Sequence, residues 1–206
     1  MKKSFIALST VLSLVLVSCG GNPASKNASP SSTQAAEVKF GIDTSASSLK
    51  WKGSKSEEDF HLGSMKFKSG SLTAQGTENV KGEFVVDMNS IKVEDTGMPD
   101  DKKSYLKKHL SDKDYFDVSK FPEVTVKVNG YKDGKLSTVI NVLGKDLKQD
   151  IPVKMTNDGS KATISGQFEL DFKDLNIEGF KVNTEKPEET IKSVVQYDLN
   201  LVLLKK

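Results

Sequence analysis

From Val38 onward, apolar and polar residues alternate along most of this chain. Between Pro122 and Val128 (PEVTVKV), Val124, Val126 and Val128 fall on one side of an extended backbone, and Glu123, Thr125 and Lys127 on the other. Val80–Met88 repeats the pattern, setting Gly82, Phe84, Val86 and Met88 against Lys81, Glu83, Val85 and Asp87. Further runs are Leu49–Trp51, Met65–Phe67, Leu136–Val142, Ile151–Met155, Ala162–Phe172 and Ile191–Leu203; in the last, Ile191, Val195, Tyr197, Leu199, Leu201 and Leu203 share a face. Successive strand residues point to opposite faces, so this alternation predicts antiparallel strands with one buried face and one wet one. Turn signals separate the runs: Lys68-Ser-Gly, Asn129-Gly, Asp133-Gly and Asn157-Asp-Gly. About eight such strands at regular spacing predict an all-β fold, a sandwich or a closed barrel.

One segment departs from period two. Pro99–Leu110 (PDDKKSYLKKHL) places proline and two aspartates where a helix begins, and Lys107, Lys108 and His109 where it ends. Met98, Tyr105, Leu106 and Leu110 are its expected apolar stripe. Ser111 is the expected N-cap of a short second turn ending at Tyr115-Phe116. The coarse order is three or four strands, a helical insertion, then four or five strands.

The N-terminal segment reads differently. Lys2 and Lys3 precede an apolar run from Phe5 to Val17, and Leu16-Val17-Ser18 leads into Cys19. A positive start, a short apolar stretch and small residues before a cut site predict a secretory signal over residues 1–18. The apolar run is shorter than the roughly 20 residues a membrane-spanning helix needs. Leu-Val-Ser-Cys is similar to the lipobox of bacterial lipoproteins, which implies a lipidated Cys19 anchoring the chain to a membrane. Gly20 follows, without the aspartate that holds some lipoproteins at the inner membrane, which points to the periplasmic face of the outer membrane in the cell envelope. Residues 19–37 are small, polar and proline-bearing, and predict a flexible linker. The folded domain is therefore expected over 38–206.

Composition narrows the function. All thirty basic residues are lysine against 28 acids, and two lysines leave with the signal, so the mature chain is balanced in formal charge. That excludes the basic excess of a nucleic-acid-binding surface. With Cys19 the only cysteine, no disulfide is available and the fold must rest on an apolar core. The two histidines, His61 and His109, belong to no metal-binding spacing, and no nucleophile elbow or phosphate-cradling glycine loop is present. Asp112, Asp114 and Asp117 lack the glycine and glutamate of an EF-hand loop. Neither a cofactor, a metal nor a catalytic centre is expected.

Several motifs follow one another in a familiar order: Ile42-Asp43 with Ser48-Leu-Lys-Trp51; His61-Leu-Gly63 before Lys68-Ser-Gly-Ser-Leu72; and Gly82–Ile91 (GEFVVDMNSI). His109–Pro122 (HLSDKDYFDVSKFP) comes next, then Leu143-Gly-Lys with Ile151-Pro152, and finally Asp198–Leu203. In this order they resemble the YceI-like family, the lipocalin-like polyisoprenoid-binding proteins of bacteria, from about Ile42 to the C-terminus. Two departures stand out. Lys173 is the nearest basic residue where many relatives carry arginine, and the charged Glu178–Glu189 stretch has the look of a loop particular to this chain.

The resemblance implies an eight-stranded antiparallel lipocalin-like barrel with a short helical insertion, holding an isoprenoid lipid or isoprenoid quinone inside. It leaves a homodimer open. Parity then nominates the interior: Trp51, Met65, Phe67, Phe84, Val86, Met88, Val124, Val126, Ile164, Phe168, Tyr197, Leu199 and Leu201. Tyr115 and Phe116 either cap one end of the barrel or anchor the helix. Two functions remain: a membrane-tethered, non-catalytic carrier or sequesterer of a long apolar lipid, and an envelope protein-interaction module whose barrel is filled. Only a void distinguishes them.

Overall fold

The computed structural model describes residues 36–206; the expected signal, Cys19 and the linker as far as residue 35 lie outside it. Ten strands and one α-helix appear: β1 (Val38–Ile42), β2 (Ser48–Ser54), β3 (Phe60–Gln75), β4 (Glu78–Val93), α1 (Asp100–Ser111), β5 (Glu123–Lys132), β6 (Lys135–Val142), β7 (Lys145–Pro152), β8 (Lys154–Asn157), β9 (Lys161–Asp171) and β10 (Val194–Lys205). All pairings are antiparallel, in the order β7-β6-β5-β4-β3-β1-β10-β9-β8.

Ten strands make eight staves, because two staves are interrupted. β1 and β2 both bridge β3 and β10, at opposite ends of those long strands. β7 pairs with β6 and, after Val153, the chain continues as β8 against β9, which closes the barrel covalently. Gly166 faces this junction. A side chain there would strike the Pro152 carbonyl and Val153, so only glycine allows the staves to meet.

Two expected turns are bulges. β3 runs through Lys68-Ser-Gly with a register shift after Phe67, and β5 runs through Asn129-Gly with a shift after Val128. In β3 the extra residue exchanges the faces, so Phe67 is inward and then Leu72 and Ala74. Asp133-Gly134 and Leu143-Gly144 are true two-residue turns, each with positive φ at both positions. The helix ends one residue later than expected. Ser111 is its last residue, donating to the Lys107 carbonyl at 2.8 Å, and is not an N-cap. Tyr105 points to solvent, 70% exposed, while Met98, Leu106 and Leu110 pack on the core.

The barrel has two unlike ends. At one lie the β3–β4, β5–β6 and β8–β9 turns, over a floor of Phe40, Leu72, Val80, Ile164 and Leu203 packed to near-zero exposure. At the other lie the β2–β3 hairpin, α1 and the long β9–β10 connection.

Candidate functional site: an apolar chamber

Above the floor the barrel is hollow. A cavity of about 340 Å³ occupies the half toward α1, within the size range of small-molecule pockets. Every stave contributes to its wall. Trp51 comes from β2, Met65 and Phe67 from β3, Phe84, Val86 and Met88 from β4, and Val124 and Val126 from β5. Leu136, Thr138 and Ile140 come from β6, Ile151 from β7, Phe168 from β9, and Tyr197, Leu199 and Leu201 from β10. Met65, Val124, Val126 and Phe168 face inward yet are only half-buried, because they border a void. Ile164 is a correction. It faces inward as parity requires, but belongs to the sealed floor and not to the chamber wall.

An aromatic cluster borders the open end. Tyr115 meets Phe180 edge-on at 5.6 Å and His109 of α1 at 4.8 Å. Phe116 meets Phe172 at 5.8 Å, and Phe172 stacks on Phe180 at 5.9 Å. Tyr115 and Phe116 line the chamber, and their ring contacts also join the segment after α1 to the β9–β10 connection. Phe180 was not legible as a wall residue, because it sits in the charged stretch read as a surface loop. The cue was its own side chain, the one large apolar group between Glu178 and Lys181. The base of that connection is clamped by Asp171, whose carboxylate accepts from the Ser193 hydroxyl at 2.6 Å and the Lys173 N–H at 3.0 Å. The Ser193 bond first, and then the Lys173 N–H, hold its pKa below the usual carboxylate range.

Polar groups are few and sit mainly at the rim. On the β2–β3 hairpin, Lys55 pairs with Asp59 at 3.5 Å. His61 Nδ1 lies 2.6 Å from Asp95 Oδ2, and Asp95 Oδ1 accepts the Leu62 N–H at 2.6 Å. Asp95 orients His61, but among the described residues no hydroxyl is hydrogen-bonded to that ring. Among them, too, no cluster of three His, Cys, Asp or Glu residues is placed to hold a metal ion. Inside, the Thr138 hydroxyl donates to the Gln149 carbonyl at 2.7 Å and is satisfied. The chamber wall thus offers mainly shape and apolar surface.

An antiparallel barrel, floored at one end and hollow at the other, defines a lipocalin-type fold. Residues 40–203 match the YceI-like domain, and the chain belongs to that family. Two solved structures share the fold. A polyisoprenoid-binding domain from Saccharophagus degradans, implicated in plant cell wall breakdown, is 16% identical with a TM-score of 0.58, covering 82% of this chain and 99% of its own. BcnA of Burkholderia cenocepacia is 17% identical with a TM-score of 0.62, covering 78% and 98%. The comparison with curated proteins gives no match.

Proposed function

We propose that this protein is a non-catalytic carrier or sequesterer of a long apolar lipid, an isoprenoid chain or isoprenoid quinone, held in the barrel. The observation that carries the reading is the chamber itself: about 340 Å³, walled by apolar side chains from all eight staves. Each methylene-sized group moved from water into it gains roughly 0.8 kcal/mol. Membership of the YceI-like family and the polyisoprenoid-binding description of the S. degradans neighbour support the same ligand class. A filled barrel serving only as an interaction module would have no use for such a void.

The proposal extends to location. A lipidated Cys19 tethers the domain at the periplasmic face of the outer membrane, as its lipobox-like context implies. One acyl chain holds a membrane only marginally, so a lasting anchor needs several. Metabolic labelling with a radioactive fatty acid tests this: label on the wild type and none on Cys19→Ser supports the tether, and label on both removes it.

The ligand is tested by native mass spectrometry of residues 36–206 followed by solvent extraction. A discrete excess mass, released as an isoprenoid, supports the carrier. A bare mass that stays bare after incubation with quinones and polyprenyl lipids of several lengths rejects it.

A further inference from the structure

The Tyr197 hydroxyl, midway along the chamber wall, has no hydrogen-bond partner among the described residues. Tyr197 lies in the middle of β10, opposite Trp51 on β2 and Phe168 on β9, with its ring stacked on Phe168 at 5.4 Å. It is 9% exposed and lines the chamber. Its oxygen takes part in no hydrogen bond among the described residues, and none of their fully sealed side-chain oxygens or nitrogens is left unpaired. Both are true because the hydroxyl opens onto the void. Buried polar groups are nearly always satisfied, and one left bare inside an apolar wall is costly.

Its surroundings say what would satisfy it. Thr138 is already bonded to Gln149. Of the basic side chains on the cavity lining, His109 sits on α1 at the open end, His61 lies against Asp95, and Lys55 is paired with Asp59. Lys55 also lies four residues beyond Trp51 along the chain toward the rim, about 13 Å at strand spacing. A phosphate or diphosphate at the level of Tyr197 would therefore be buried without a counter-charge. A carbonyl or hydroxyl oxygen carries no such penalty. Burial pushes the Tyr197 hydroxyl's pKa up, so it stays protonated and able to donate well into alkaline solution.

We propose that the Tyr197 hydroxyl donates a hydrogen bond to a neutral carbonyl or hydroxyl oxygen at the head of the bound lipid, making the barrel selective for uncharged, oxygenated isoprenoids. This rests on the carrier reading above. The tail fills the chamber below Tyr197, among Leu199, Leu201 and Phe67, and the oxygenated end stops at its level.

The test compares the full chain and Tyr197→Phe with four probes sharing one farnesyl tail: a farnesyl benzoquinone, farnesol, farnesyl diphosphate and the saturated hydrocarbon. Trp51, the only tryptophan, lies beside the site and reports binding by its fluorescence. The expected result is a roughly five- to tenfold loss of affinity for quinone and alcohol in Tyr197→Phe, the scale of one neutral hydrogen bond. The hydrocarbon should change less than about twofold on the same scale. Equal affinity of both proteins for the quinone overturns the proposal, as does a wild type that binds the diphosphate best. A wild type that binds none of the four removes the carrier reading and this inference with it. A readout independent of the variant's folding is the quinone carbonyl stretch, which should move to lower frequency on binding the wild type than in a hydrocarbon solvent; an unmoved stretch also overturns the proposal.

Discussion

The same substitution made at two heights in the barrel should have two different costs. Val80 is 1% exposed in the packed floor, whereas Val126 faces the chamber between Phe84 and Ile140 of the neighbouring strands. Replacing either by phenylalanine adds the bulk of a ring. In the floor that bulk must displace packed neighbours, which costs about 1–3 kcal/mol. For a domain of this size, 1 kcal/mol moves Tm by about 2–4 °C, so Val80→Phe should lower it by roughly 2–12 °C. At Val126 the ring enters a space more than ten times the ~30 Å³ share of one water molecule. Val126→Phe should therefore leave Tm within about 2 °C, since little packing is disturbed, while weakening lipid binding by occupying its volume. Thermal unfolding followed by circular dichroism, with and without a farnesyl quinone, reads both effects. Equal losses at the two positions would refute the reasoning, because they would mean that the barrel is packed solid along its whole length.

Three further outcomes are expected. A bound isoprenoid at a hundred times its dissociation constant should stabilise the wild type by about 2.7 kcal/mol, a rise of roughly 5–11 °C, checked by the same melt. Gly63→Ala should destabilise by at least about 1 kcal/mol, because the new methyl would meet the Trp51 ring and the Lys92 carbonyl; a shift in the Trp51 emission maximum reports the displacement. Asp158 accepts from the Ser160 hydroxyl, the Ser160 N–H and the Lys161 N–H at 2.7–2.8 Å, the hydroxyl bond lowering its pKa most, to about 2. Its folded value lies below the unfolded one, so its contribution is complete above about pH 4 and fades as pH falls toward 2. Asp158→Ala should flatten that part of the stability curve, and an unchanged curve would assign the acid sensitivity to other carboxylates.

Much of this architecture is written in alternation, because a strand's period of two decides which side chains meet the core. That is why Phe84, Val86, Tyr197 and Leu199 could be placed on the inner face from the chain alone. Parity names a face but not a height, so Ile164 and Leu199 read alike although one seals the floor and the other lines the void. Glycine pairs carry a second ambiguity. Asn129-Gly and Lys68-Ser-Gly offer the backbone freedom of a turn, and a long strand within a barrel uses the same freedom for a bulge. The short strand β1, with the sequence VKFGI, has a single fully buried residue, Phe40, and gives too brief a pattern to read. The His61–Asp95 contact joins residues 34 positions apart, and no local spacing announces it.

The floor gives the chamber a further property. With one end closed, the barrel is a depth gauge for whatever enters it. From Tyr197, where the head stops, to Leu201 the wall runs four residues along β10, roughly 13 Å of tail at strand spacing. Affinity should climb with each added isoprene unit until the tail touches Phe67 and Leu201, and then level off. Each unit beyond that point would lift the head away from Tyr197 toward the rim and bury no further apolar surface. A family of lipids differing only in length would thus be divided into those that fit entirely and those held by one end, and the second group would keep a free stretch by which another molecule could draw them out.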